Sequence, residues 1–122
     1  MAKYVDGFVL PLPKKNIKKY EKMAKEASLV WKKFGAVDYY EAVLQDPKAK
    51  DMVAFPKLAK LKKGETVVFA WITYKSRKHR DQVNKKVMAY FSKKYGEDCG
   101  ADEMPFDCKR MSYGGFDIIV SA

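Results

Sequence analysis

Cysteine and histidine are scarce in this sequence, and their scarcity excludes several kinds of site. The two cysteines, Cys99 and Cys108, are too few for a disulfide framework and lack the spacing of a metal site. We interpret them as buried or idle thiols in a reducing cytoplasm. His79 is the single histidine, which excludes a histidine-rich metal site, and no carboxylate spacing predicts another kind. We therefore expect no metal and no other cofactor.

Long uninterrupted apolar segments are also missing. No stretch approaches the ~20 apolar residues that a membrane-spanning helix needs, so we expect no membrane partner. The N-terminal sequence MAKYVDGFVLPLP contains a short apolar run, but Asp6 and Pro11 interrupt it and no small-residue cleavage site follows. We interpret this segment as a first strand instead of a signal peptide, in agreement with a cytoplasmic location.

Acidic residues are few relative to basic ones. The chain has 25 lysines and arginines against 15 aspartates and glutamates, a formal net charge of +10. Such a basic protein raises the question of a nucleic-acid partner. However, the sequence has no RNA-recognition signature, no glycine-rich backbone clamp and no basic aromatic stacking platform. Most of the charge is lysine on predicted helix exteriors, whereas arginine suits bidentate phosphate recognition. We interpret the charge as a solvated face and keep RNA association as an alternative.

The apolar content suffices for one domain. With 122 residues, of which 48% are hydrophobic, the chain can build a single core, so residues 1–122 are predicted to be one domain. Alternation and helical periodicity predict four strands and two helices. The strands fall near 4–12, 36–44, 66–74 and 109–120, and the helices near 16–34 and 76–94. Asn16 and Ser76 are the predicted N-caps, and Gly35 is predicted to end the first helix. Between the second and third strands, Phe55, Leu58 and Leu61 predict a short helical piece that packs inward.

The element order is strand, helix, strand, strand, helix, strand, which is typical of an α+β, ferredoxin-like βαββαβ domain with an antiparallel sheet. Helices cover only one face of such a sheet, yet the predicted strands are apolar on both faces. The second face therefore needs another cover, and a second copy of the same sheet supplies one. The sequence predicts a homodimer in which two sheets form a dimeric α+β barrel.

Three segments resemble one known family. YVDGFVLPLPKKN, VVFAWITYKSRKHRDQVNKKVM and MPFDCKRMSYGGF occur in this order and look like the YbaA-like family of uncharacterised bacterial proteins. The similarity covers nearly the whole chain. The resemblance implies a dimeric α+β barrel, and it implies no function.

Arg80 is the most informative polar residue. Helical spacing places it on the apolar side of the second helix with Val83 and Val87. An arginine directed inward needs a partner, because an unpaired buried charge costs several kcal/mol. Asp6 and Asp107 are the candidate carboxylates. Either Arg80 and one of these carboxylates form a structural salt bridge that pins the segment 104–110 onto the helix, or Arg80 binds an anion at the mouth of a pocket.

Other polar residues are predicted to lie near Arg80. His79 is either a solvated surface residue or a general base whose pKa is lowered by basic neighbours. Gly7, next to Asp6, predicts a strand bulge or a cavity wall. The candidate lining of a ligand site is Asp6, His79, Arg80, Asn84, Asp107, Arg110 and Tyr113, and Trp71 and Tyr40 are candidate aromatic walls of the same cavity.

Three functions stay open at this point. The first is a homodimer that binds or transforms a small, partly apolar, anionic molecule in a cleft between sheet and helices. The second is an RNA-associated basic protein. The third is a structural or regulatory homodimer without catalytic activity, whose partner is another protein.

Overall fold

A computed structural model describes residues 2–96 and 104–122 of the chain. The order of its main elements is the predicted one, including a short helix between the second and third strands. The elements are β1 (Tyr4–Pro13), α1 (Ile17–Lys33), β2 (Asp38–Val43), α2 (Phe55–Leu58), β3 (Glu65–Tyr74), α3 (Arg77–Tyr95) and β4 (Ser112–Asp117). Short 3₁₀ turns at Lys14–Asn16 and Cys108–Arg110 precede α1 and β4.

The four strands form one antiparallel sheet in the order β2-β3-β1-β4. β1 and β3 lie at its centre and pair over ten residues, from Tyr4 opposite Tyr74 to Pro13 opposite Glu65. Both strands are rich in β-branched and aromatic residues, which fit a pleated, buried surface. The predicted α+β class and antiparallel sheet are confirmed.

The ends of the helices confirm two of the three predicted caps. The Ser76 hydroxyl accepts a hydrogen bond from the backbone N–H of His79 at 3.0 Å, as expected of an N-cap. Gly35 follows α1 with a φ of +114°, which favours glycine. Asn16 occupies the N-cap position of α1, but its side chain forms no capping hydrogen bond: its amide donates to the carbonyl of Pro105, 2.8 Å away, and ties the start of α1 to the segment before β4.

The core lies between the helices and one face of the sheet. Strand residues alternate, so Tyr4, Leu10, Leu12, Ile72 and Tyr74 all point to this face and are buried. Two clusters fill it. One forms beneath α3 and the end of α1, and the other beneath the start of α1, where Phe106 and Met111 also pack.

The opposite face of the sheet, which we call the outer face, is not covered by α1 or α3 and is lined by aromatic side chains. Phe69 is 42% exposed, Tyr40 53% and Phe116 58%. Tyr40 stacks on Trp71 with ring centroids 5.1 Å apart, and Phe69 meets Trp71 edge to face at 5.3 Å. The prediction that the strands are apolar on both faces is confirmed, and the outer face of a single chain is open.

The long connection between β2 and β3 differs from the prediction. The short helix exists as α2, but its side chains do not pack inward: Leu58 is 59% exposed and Phe55 39%. The Phe55 ring lies 6.1 Å from the ring of Phe69, at the outer face. The prediction was wrong because the core on the helix side is already filled by α1 and α3, so α2 lies beside the sheet.

Two further expectations near the C-terminus are corrected. β4 begins at Ser112, after a 3₁₀ turn, instead of at Lys109. Cys108 is disulfide-bonded, so its interpretation as an idle thiol is wrong. The cysteines therefore no longer indicate a reducing compartment. Cys99 and the acidic stretch 97–103 lie outside the described residues.

The helices of the described ranges, 2–96 and 104–122, include none that is long and apolar enough to cross a membrane.

Candidate functional site

Asp6 and Arg80 meet between the sheet and α3. Asp6 lies near the start of β1 on the helix side, and α3 directs Arg80 toward it along the same stripe as Val83 and Val87. Arg80 Nη1 is 2.6 Å from Asp6 Oδ1, and the exposed fractions of the two side chains are 12% and 1%. The predicted pairing of Arg80 with a carboxylate is confirmed, and the carboxylate is that of Asp6.

Further polar groups complete the coordination of the Asp6 carboxylate. Tyr113 on β4 donates its hydroxyl to Asp6 Oδ1 at 3.0 Å and accepts from Arg80 Nη1 at 2.5 Å. Asn84, one turn after Arg80 on α3, donates its amide to Asp6 Oδ2 at 3.5 Å. The register explains the access from β4, because Gly115 lies opposite Asp6 and adds no side chain there.

The network continues from Asn84 into the core. The side-chain Oδ1 of Asn84 accepts from the Tyr74 hydroxyl at 3.2 Å and from Trp31 Nε1 at 3.1 Å. Burial raises the pKa of Tyr74 and the negative charge of Asp6 raises it further, so this phenol stays protonated. Partial burial and hydrogen bonding to Asp6 raise the pKa of Tyr113 to about 12. The network therefore contains one buried anion, one cation and neutral donors.

The arrangement is a packed ion pair instead of an open binding site. Arg80 Nε donates to Asp81 at 2.7 Å, and the guanidinium carbon lies 5.1 Å from the centre of the Tyr4 ring. With both Asp6 and Asp81 as partners, Arg80 has little positive charge left for an anionic ligand. Through Asp6 and Tyr113, Arg80 connects α3 to β1 and β4.

Three predicted site residues lie apart from this network. Asp107 is exposed and caps the 3₁₀ turn by accepting from the Lys109 N–H at 3.0 Å. Arg110 binds both carboxylate oxygens of Glu65, at 2.7 and 2.9 Å. The predicted contact of Asp107 with Arg80 is wrong, because the turn places Asp107 in solvent. His79 accepts from the backbone N–H of Lys75 through Nδ1 at 3.0 Å, and this bond fixes its ring at the start of α3.

The aromatic walls expected around Asp6 are also elsewhere. Trp71 pairs with Gly7 and Tyr40 in the sheet register, so both aromatic side chains point to the outer face, away from Asp6. β1 pairs without interruption through Gly7, which excludes the expected bulge. Gly7 leaves room instead for the ring of Phe116, which a Cβ atom at this position would approach to 3.5 Å.

A second site, between α1 and β2, was not predicted. It is a groove of about 260 Å³, lined by Ile17, Tyr20, Glu21, Ala24, Lys25, Ser28, Tyr39, Glu41, Val43 and Val68. We call it the Glu41 groove. The carboxylate of Glu41 accepts from the hydroxyl of Tyr39 at 2.6 Å through one oxygen and from the hydroxyl of Tyr20 through the other.

The two tyrosines of the Glu41 groove are neutral donors. Burial raises the pKa of both Tyr20 and Tyr39, and the charge of Glu41 raises the two values further. The sequence contained one signal of this site, since Glu41 is, with Asp38, one of two charges in an otherwise apolar predicted strand. It did not reveal Tyr20 as a partner, because α1 and β2 are brought together only by the fold.

Comparisons with known proteins agree on one family. Residues 3–108 match the family described as "Protein of unknown function (DUF1428)". The chain is 40% identical over 119 residues to "Uncharacterized protein YbaA" of Escherichia coli strain K12, with 97% of each chain covered. The protein of the same description from Shigella flexneri gives the same values.

Proposed function

Since this chain belongs to the YbaA-like family of DUF1428 proteins, we propose from its own geometry that it is a homodimer that binds a small, partly apolar molecule between sheet and helices. The proposal rests on the difference between the two faces of the sheet. The outer face is apolar and open, whereas the Glu41 groove lies on the helix side.

The outer face supports the dimer. Phe69, Trp71, Tyr40 and Phe116 form an aromatic surface on the side of the sheet that α1 and α3 leave uncovered. Exposed apolar surfaces of this kind mark interaction sites in soluble proteins. A second copy presents the same surface, so a twofold axis buries both at once, in the form of a dimeric α+β barrel.

Dimerisation through the outer face leaves the Glu41 groove accessible. Tyr40 and Glu41 are neighbours on β2 and point to opposite sides, with Glu41 opposite Ala70 on the helix side. One face of each sheet therefore serves assembly while the other keeps its groove. A volume of about 260 Å³ lies just below the ~300–1,000 Å³ of ordinary ligand pockets, which fits a small ligand.

The dimer is tested by Phe69→Glu. A carboxylate in the middle of the outer face would be buried without a partner in the dimer, so the variant should be monomeric. Leu29→Glu is the matched control, because Leu29 is 73% exposed on α1, away from the outer face. In sedimentation or light-scattering measurements, wild type and Leu29→Glu should have twice the chain mass of 14.0 kDa and Phe69→Glu once that mass. A monomeric wild type, or dissociation of both variants, would contradict the proposal.

The ligand site is tested by NMR titration of the dimer with benzylammonium, benzyl alcohol and benzoate, three probes of one shape and different charge. At least one probe should cause saturable shifts of the backbone amides of Ala24, Tyr39 and Val43. Shifts that are absent for all three probes, or that occur only elsewhere, would refute binding in the Glu41 groove.

A further inference from the structure

We infer that the Glu41 groove selects an organic cation, a protonated amine with a short apolar body, which binds through its ammonium group to the carboxylate of Glu41. The inference rests on the proposed function, since it names the ligand class of that groove. It reverses the charge expected from the sequence, where Arg80 suggested an anionic ligand.

The first argument is the unneutralised charge of Glu41. Its side chain is partly buried, and it forms no ion pair among residues 2–96 and 104–122. The carboxylates of Asp6 and Glu65, which are also withdrawn from solvent, each pair with an arginine. Among the described residues, Asp38 is the other partly buried carboxylate without an ion pair, but it accepts from the Thr73 hydroxyl and does not line the groove, whereas Glu41 does. A cationic ligand would supply the missing charge.

The second argument is the way in which the carboxylate is held. The hydroxyls of Tyr20 and Tyr39 occupy one acceptor position on each oxygen of Glu41. Each carboxylate oxygen has two lone pairs, so acceptor capacity remains on both. Because both phenols stay neutral, they orient the anion without cancelling its charge. The site is prepared for a donor that carries positive charge, and such charge-assisted hydrogen bonds are the stronger kind.

The third argument is the apolar surface around the carboxylate. Ile17, Ala24, Val43 and Val68 contribute walls, and the rings of the two tyrosines lie beside them. An ammonium group at Glu41 would leave its hydrocarbon body against these side chains, and organic cations are also attracted to aromatic rings. Lys25 lies at the groove but forms no ion pair with Glu41, so it leaves the carboxylate available.

The test is the dissociation constant of the three probes for wild type and for Glu41→Gln, measured by the same NMR titration. Benzylammonium should bind wild type at least about tenfold more tightly than benzyl alcohol, and benzoate should bind least. Glu41→Gln keeps the size and an acceptor but removes the charge. It should raise the dissociation constant of benzylammonium at least about tenfold and change that of benzyl alcohol by less than about threefold.

Glu21→Gln is the matched control, because Glu21 also lines the groove but is exposed. Glu21→Gln should change the dissociation constant of benzylammonium by less than about threefold, since solvent screens an exposed charge. Equal affinities of benzylammonium and benzyl alcohol in the groove would overturn the inference while the proposed binding site stands. Equal losses in Glu21→Gln and Glu41→Gln would also overturn it, and binding of no probe would overturn both.

Discussion

Replacing Arg80 by methionine should lower the free energy of unfolding by about 3–5 kcal/mol, the usual cost of removing one partner of a buried ion pair. The change leaves the Asp6 carboxylate, 1% exposed, with only neutral donors from Tyr113 and Asn84. Methionine retains most of the length and apolar volume of arginine, so the loss reports mainly the charge. Urea unfolding at neutral pH, followed by circular dichroism, measures it.

Two further variants separate the ion pair from a general effect of mutating α3. Arg77→Met changes the same residue type one turn earlier, where the side chain is exposed, and should alter the unfolding free energy by less than about 0.5 kcal/mol. The double variant Asp6→Asn with Arg80→Met removes the stranded charge and should be more stable than Arg80→Met alone. A direct interaction would be contradicted if the double variant lost as much unfolding free energy as Asp6→Asn and Arg80→Met lose together.

Gly115→Ala should destabilise the protein by about 1–3 kcal/mol through overpacking. A Cβ atom at this position would lie 3.0 Å from Arg80 Nη1 and nearer still to the hydroxyl of Tyr4. Tyr4 is buried and Arg80 is held by Asp6, so neither side chain can withdraw freely. Thermal and urea unfolding should both show the loss.

Gly114→Ala is the matched control for Gly115→Ala. The neighbouring glycine faces the other side of the sheet, where an added Cβ would meet the ring of Phe116 at 3.2 Å. Phe116 lies on an edge strand, where no ion pair or helix among the described residues of its own chain holds its ring, and alanine is better than glycine within a strand. Gly114→Ala should therefore be within about 1 kcal/mol of wild type. A larger loss for Gly114→Ala than for Gly115→Ala would refute the close packing of Arg80 and Tyr4 against β4.

Arg80 shows how far the sequence could predict the site. Helical periodicity alone placed its side chain on the apolar face of α3, and the cost of a buried charge alone required a carboxylate partner. The choice between Asp6 and Asp107 needed the fold. Asp6 is 74 positions away from Arg80, and the two meet because β1 occupies a central place in the sheet beneath α3.

Glu41 shows the opposite case. The sequence marks it only as a charge in a short strand, and Tyr20 as one more residue of an apolar helical stripe. Neither the strand pattern nor the helix pattern predicts how close α1 lies to β2. The angle and separation of a helix and a sheet depend on how all the intervening side chains pack, so the groove appears only in the folded chain.

The amino-acid sequence by itself determined the element order, the cap at Ser76, the inward direction of Arg80 and the apolar character of both sheet faces. These features follow from local periodicity and from the free energy of exposing apolar or charged groups, which depend on a few neighbouring residues. Only the tertiary structure decided which carboxylate pairs with Arg80, which side of the sheet each aromatic residue faces, and that Glu41 lies in a groove. Those outcomes depend on strand register and helix packing, which join residues far apart in the chain.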